Sequence, residues 1–392
     1  LGSECDYGLT ACTEAQWNGL FSVYRQFATE VIVLLKILAA PPGVLTTNPN
    51  EADMFVVPYL AKTDCAEAGN AGRDPCWGKC KCATAVKNLF AALPHYSWST
   101  RGKHLFLATG DMKDLPVEIQ AQPLVISLGA SFCGGHLVVP SPNLDPMLQP
   151  NGGFEARETA GHAPERHIFA YWFGSIDKKW RHSVTQQLKM YGESQGARPV
   201  VVHDIGGDYI ARDIWRTEAT SPALIIEEMI RSVFCPIVQG DVPHQKRLYD
   251  SILSGCIPVV IAFPSHVTGQ VSWWLPGGPP VERMVPFFDD IDYRSFVIEV
   301  PVQDVVQGRY VEALLQVTDD EVKARQDAMR QIRHGIRFDM DGSGSDAFSH
   351  TMKGIVRFLQ RSKQLHLPEN ARPGSVAFDC GVPPGLLPEG TQ

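Results

Sequence analysis

Short apolar runs rich in Val, Ile and Phe recur along the chain, with polar or helix-periodic stretches between them. A first set reads ADMFVVPY (52–59), KHLFLATGD (103–111), PLVISLG (123–129) and HLVVPSP (136–142). Continuous apolar runs of strand length suit strands buried on both faces, so the rhythm predicts a parallel sheet with helical crossovers. A Gly/Pro-rich polar passage from Gly152 to Glu165 interrupts the pattern. It restarts with HIFAYWFG (167–174), a helical stretch carrying Arg181 and Leu188, RPVVVHD (198–204), an acidic amphipathic helix near 222–232 and CIPVVIAF (256–263). Further helices are expected around 319–334 and 346–362, and the Pro/Gly-rich end of the chain is expected to wrap the surface.

The fold class this implies is α/β, with two Rossmann-like domains facing across a cleft. The expected division is 1–165, 166–345 and a C-terminal helix and tail over 346–392. A ligand would then lie beyond the carboxyl ends of the strands. VIVLLKIL (31–38) is less than half the roughly 18 apolar residues that cross a bilayer, and reads as a buried helix.

Composition narrows the function. A net charge of −8 argues against nucleic-acid or anionic-membrane binding, either of which needs a basic surface. The 10 cysteines, including Cys5, Cys12 and the cluster Cys76, Cys80 and Cys82, suit disulfides in an oxidising compartment better than a zinc site, because the cluster lacks paired CxxC spacing. The chain begins at Leu1 rather than Met, and the expectation is a form lacking an N-terminal targeting or membrane-anchor segment.

The chemistry concentrates in SVFCPIVQGDVPHQKRLYDSILSGCIPVVIA (232–262), which reads as strand, loop, helix, Gly stop and strand. Leu248 and Ile252 share one helical face, Arg247 and Asp250 take others, and Gly255 can adopt the left-handed conformation that ends the helix. Loop amides at Gly240 and Asp241, together with the helix start, would offer unpaired N–H groups and a positive dipole end to a diphosphate. Arg247 could add a bidentate clamp.

This segment resembles the exostosin signature, through Phe234, Cys235, Gly240, Asp241, Arg247, Leu248, Asp250, Ile252, Gly255, Cys256, Ile257, Pro258 and Val259. TNPNEADMFVVPY (47–59), HYSWSTRGKHLFLATGD (95–111), HLVVPSP, FGSIDKKWRHSVTQQL (173–188) and RFDMDGSGSDAF (337–348) resemble further segments of the same family, glycosyltransferase family 47. The resemblance implies GT-B architecture, a Golgi-luminal enzyme, a UDP-sugar donor and a glycan acceptor, with inverting transfer and no metal. It further implies that Gly174, Arg181, Gly240, Asp241, Arg247 and Asp250 form or shape the nucleotide-diphosphate site. Asp111 and His136, at ends of predicted strands, are the candidates for deprotonating the acceptor hydroxyl.

Two acidic clusters imitate metal sites. DDID (289–292) is expected to be a structural turn, and DMDGSGSD (339–346) lacks the Glu that completes a calcium loop. Three positions depart from the family pattern: Phe263 and Val302 stand where carboxylates are usual, and Gln245 where Ser is common. An insert, 264–284, follows Phe263, and its Trp273 and Trp274 could serve a protein partner or stack on carbohydrate. The departures leave a second reading, an inactive scaffold or subunit of a luminal or extracellular assembly. A third, a cytosolic glycogen-synthase-like enzyme, predicts free thiols.

Overall fold

The computed structural model describes residues 29–57, 89–97, 100–108, 119, 122, 124–128, 137–143, 146–149, 153–205, 222–238, 245–263, 285–339 and 345–364. The apolar runs are strands. β1 (Phe55–Val57), β2 (His104–Leu107), β3 (Val125–Ser127) and β4 (Leu137–Val138) pair in parallel in that order. β5 (Ile168–Phe173), β6 (Val200–His203), β7 (Ser232–Ile237), β8 (Ile257–Ala262) and β9 (Ile298–Pro301) form a second parallel sheet, ordered β6-β5-β7-β8-β9. Every residue of β2, β3 and β7 is buried, as continuous apolar runs require when helices cover both sheet faces.

The helices are α1 (Thr29–Leu38), α2 (Gly153–Thr159), α3 (Lys179–Gly192), α4 (Pro222–Ile230), α5 (Lys246–Ser254), α6 (Val302–Val306), α7 (Tyr310–Leu315), α8 (Asp319–Ile336) and α9 (Ala347–Gln364). α1 realises the apolar run around Lys36, whose ammonium lies 5.7 Å from the Phe348 ring centroid. Thr318 opens α8 with a full capping box to Glu321, which satisfies two otherwise orphaned amides. Among the described residues, no helix is long and apolar enough to cross a membrane.

The chain forms two compact units. One comprises Leu1–Pro142, Arg283–Phe287 and Ala347–Gln392, and the other Asn143–Glu282 and Phe288–Asp346. In the first, Val57, Phe106, Ala108, Ile119 and Val125 make a core, and α9 packs so closely on β4 that a Cβ at Gly354 would lie 2.5 Å from Cδ1 of Leu137. The residues just before β5 go with the second unit, because α2 is built into it. Phe154 joins Leu148, Tyr171, Met229 and Leu253 in the core, while Glu158 and Glu155 pair with Arg333 and Arg337 at 2.6 and 2.8 Å.

In the second sheet the chain runs outward from β5 to β6, then returns to place β7 on the other side of β5. That is a doubly wound order, and its topological switch point lies between β5 and β7, where ligands bind beyond the strand ends. A disulfide between Cys235 in β7 and Cys256, just before β8, ties the strands that flank α5. Both cysteines are fully buried. Cys5, Cys12, Cys76, Cys80 and Cys82 lie outside the described residues.

Candidate functional site

The carboxyl ends of β5 and β7 meet the start of α5 at the switch point. α5 buries Leu248, Ile252 and Leu253 and ends at Gly255, whose φ of 69° is the left-handed conformation expected of it. The N-cap residue, Gln245, makes no side-chain cap, and its Nε2 instead donates to the Val238 carbonyl at 2.6 Å. The start of a helix carries the positive end of its dipole, which favours an anion.

Two guanidinium groups converge there. Arg247, on the first turn of α5, lays its guanidinium over the Trp172 indole at 4.2 Å from the ring centroid and donates through Nη2 to the Phe173 carbonyl at the end of β5. Arg181, on α3, lies 5.9 Å from the same centroid, and donates from Nε to the Val238 carbonyl at 3.3 Å and from Nη1 to that of Ser175 at 3.4 Å. Among the described residues, Nη1 of Arg247 is buried without a hydrogen-bond partner. Burial, and then the neighbouring Arg181 charge, push the Arg247 pKa down to about 9, so the group is still charged at neutral pH. Like charges gathered with a buried donor unmet make a place for an anion.

Gly174 is required by this arrangement. Its φ is 152°, and a Cβ there would overlap Nη2 of Arg247. Trp172 fixes the same residue from below, its Nε1 donating to the Gly174 carbonyl at 3.0 Å. Ser175 Oγ donates to Asp177 Oδ1 in the following turn.

Asp250 shares a helix with Arg247, but its partners are elsewhere. Lys246 Nζ approaches its two oxygens at 2.6 and 2.7 Å, and Asn143 Nδ2 donates to Oδ1 at 2.6 Å. It shapes the turn that presents Arg247. Of the expected site residues, Gly174, Arg181 and Arg247 thus come together, with Asp250 one turn away. Gly240, Asp241, Asp111 and His136 lie outside the described residues, as does the insert carrying Trp273 and Trp274.

Sequence reasoning passed over Trp172, which sits among buried strand residues and carries no spacing signal. It also missed His203, at the end of β6, whose Nε2 lies 2.8 Å from Oε2 of Glu228. Tyr171 lies edge-on to the His203 ring at 6.0 Å between centroids, and burial raises its phenol pKa well above the ordinary value.

The positions that depart from the family pattern have local explanations. Phe263 is buried and packs edge-on against Trp180 at 5.5 Å. Val302 is buried at the start of α6, while Asp304 pairs with Arg309. Asp289 and Asp290 of the first acidic cluster lie in a turn, whereas residues 340–344 of the second lie outside the described residues. Asp292 Oδ1 accepts from the Arg294 amide at 3.1 Å, and Asp346 Oδ2 accepts from that of Asp339 at 3.0 Å.

A model of the exostosin GT47 domain matches residues 4–317. A rice (Oryza sativa subsp. japonica) protein named "Probable glucuronosyltransferase Os01g0926400" is 26% identical over 384 residues, covering 93% of this chain and 81% of its own. Two Arabidopsis thaliana proteins are similar. "Probable beta-1,4-xylosyltransferase IRX10L" is 24% identical, covering 92% of this chain and 81% of its own, and "Probable glucuronoxylan glucuronosyltransferase IRX7" is 25% identical, covering 86% and 72%. Among solved structures, a chain of the GtfA/B complex aligns over 66% of this chain and 46% of its own, with 10% identity and a TM-score of 0.33, too slight a likeness to carry an argument.

Proposed function

Since the chain belongs to the exostosin GT47 family of glycosyltransferases, we propose that it transfers a sugar from a UDP-sugar to a hydroxyl of a growing glycan, with inversion and without a metal. The observation that carries this reading is the pair of guanidinium groups on Trp172, one with a buried and unmet N–H, at the switch point of the second sheet.

The chemistry follows from charge. As the acceptor oxygen bonds to the anomeric carbon, the bond from that carbon to the diphosphate oxygen breaks, and negative charge grows on the departing diphosphate. Arg247, Arg181 and the positive end of the α5 dipole oppose that charge as preorganised donors. Two guanidinium groups supply the positive charge a divalent ion would otherwise bring. Asp111 and His136 remain the candidates for taking the acceptor proton.

The similarity to proteins named as xylosyl- and glucuronosyltransferases supports a pentose or uronic-acid donor and a polysaccharide acceptor. The buried Cys235–Cys256 disulfide supports folding in an oxidising compartment, in keeping with a Golgi-luminal enzyme. Calorimetric titration with UDP, UDP-xylose and UDP-glucuronate, followed by transfer assays on xylan oligosaccharides with and without EDTA, tests the proposal. Saturable UDP binding and EDTA-insensitive transfer are expected. A chain that binds none of these nucleotides would instead be a scaffold of the same fold.

A further inference from the structure

We infer that Trp172 is the positioning residue of this site, a rigid aromatic plate that holds Arg247 and Arg181 side by side before any anion arrives. The inference rests on the donor-diphosphate reading above and adds to it the device that keeps the seat formed.

Two like charges brought together repel, and Asp250, whose charge offsets part of that repulsion at Arg247, is itself held by Lys246 and Asn143. The electron-rich indole faces both guanidinium groups, its centroid 4.2 Å from the Arg247 carbon and 5.9 Å from that of Arg181, and the carbonyls of Phe173, Ser175 and Val238 accept hydrogen bonds from them. An aromatic face attracts a cation most when both are withdrawn from water. Trp172 is fully buried. Its Nε1–H also anchors Gly174, the residue whose missing side chain leaves room for Nη2 of Arg247. One side chain therefore sets both the floor and one wall of the seat. A preformed site loses less conformational freedom on binding than one that must assemble around its ligand.

The test uses the full chain and inorganic pyrophosphate as probe, with UDP alongside, comparing wild type with Trp172→Leu and Trp172→Phe at temperatures where circular dichroism shows each variant folded. Trp172→Leu removes both the cation-binding face and the Nε1 donor, and is expected to weaken pyrophosphate binding at least tenfold. Trp172→Phe keeps a smaller face and is expected to lose three- to tenfold. Loss of the face also makes the charged guanidinium harder to keep, so the alkaline limit of binding should move to lower pH in both variants. Simple packing in the core would lower Tm and leave affinity and the pH limit of the folded protein alone. If Trp172→Leu does not fold, Trp172→Phe carries the test. Unchanged affinity together with an unchanged alkaline limit overturns the positioning role. Failure of wild type to bind pyrophosphate or UDP overturns the donor-site reading instead.

Discussion

Replacing Gly174 with Ala perturbs the site by one methyl group, and its consequences can be worked out in advance. The new Cβ would overlap Nη2 of Arg247, which donates to the Phe173 carbonyl, so the guanidinium must leave that carbonyl and shift across the indole. The backbone also holds φ at 152°, a region where a side chain costs about 1–3 kcal/mol, so a drop of a few degrees in Tm is expected. On ligand binding, displacing the guanidinium forfeits a charge-assisted hydrogen bond of about 1.5–3 kcal/mol, which is roughly 10- to 150-fold in UDP affinity. A double-mutant cycle separates the two effects. If Gly174 serves binding only by leaving room for Arg247, Gly174→Ala combined with Arg247→Ala binds UDP no more weakly than Arg247→Ala alone. Additive losses in calorimetry would refute the reasoning, since Gly174 would then contact the nucleotide on its own account.

Other consequences lie away from the two arginines. The disulfide closes a sequence separation of 21 residues around α5; a chain-entropy estimate makes its loss cost about 3 kcal/mol, so Cys235→Ala with Cys256→Ala should lower the denaturant midpoint while leaving the free-thiol count of a denatured, non-reducing titration unchanged. Phe263→Ala should destabilise the second unit by about 3 kcal/mol in urea melts, because it empties the place beside Trp180. Burial lowers the pKa of His104, which stacks on Phe55 at 4.9 Å. Folding therefore favours its neutral form, so stability should fall as pH drops below the ordinary 6.5 towards the lowered folded value, and His104→Gln should flatten that slope in pH-dependent melts.

Much of this architecture is legible in the residues. The apolar runs at 52–59, 103–111, 123–129 and 136–142 become β1 to β4, because strands covered on both faces need no polar alternation. Gly255 ends its helix with the conformation a glycine adopts most readily. Strand order is another matter, because periodicity carries no record of which strands become neighbours, and the switch point between β5 and β7 emerges only from pairing. At the site, Arg247 and Gly174 could be singled out by motif, whereas Trp172 could not. A tryptophan in IFAYWF reads as core, and it is core. Its second role comes from two arginines, one 9 residues and the other 75 residues further along the chain, that fold onto its face. Phe263 shows the converse, since a position that reads as a lost polar contact is a packing contact made with Trp180.

The most direct measurement is a crystal structure of the protein with UDP bound. The account predicts diphosphate oxygens within about 3 Å of Nη1 of Arg247 and of the Arg181 guanidinium, with both groups still lying on Trp172. UDP bound elsewhere, or a diphosphate held by carboxylate-bound metal with Arg247 still buried and unmet, would contradict it.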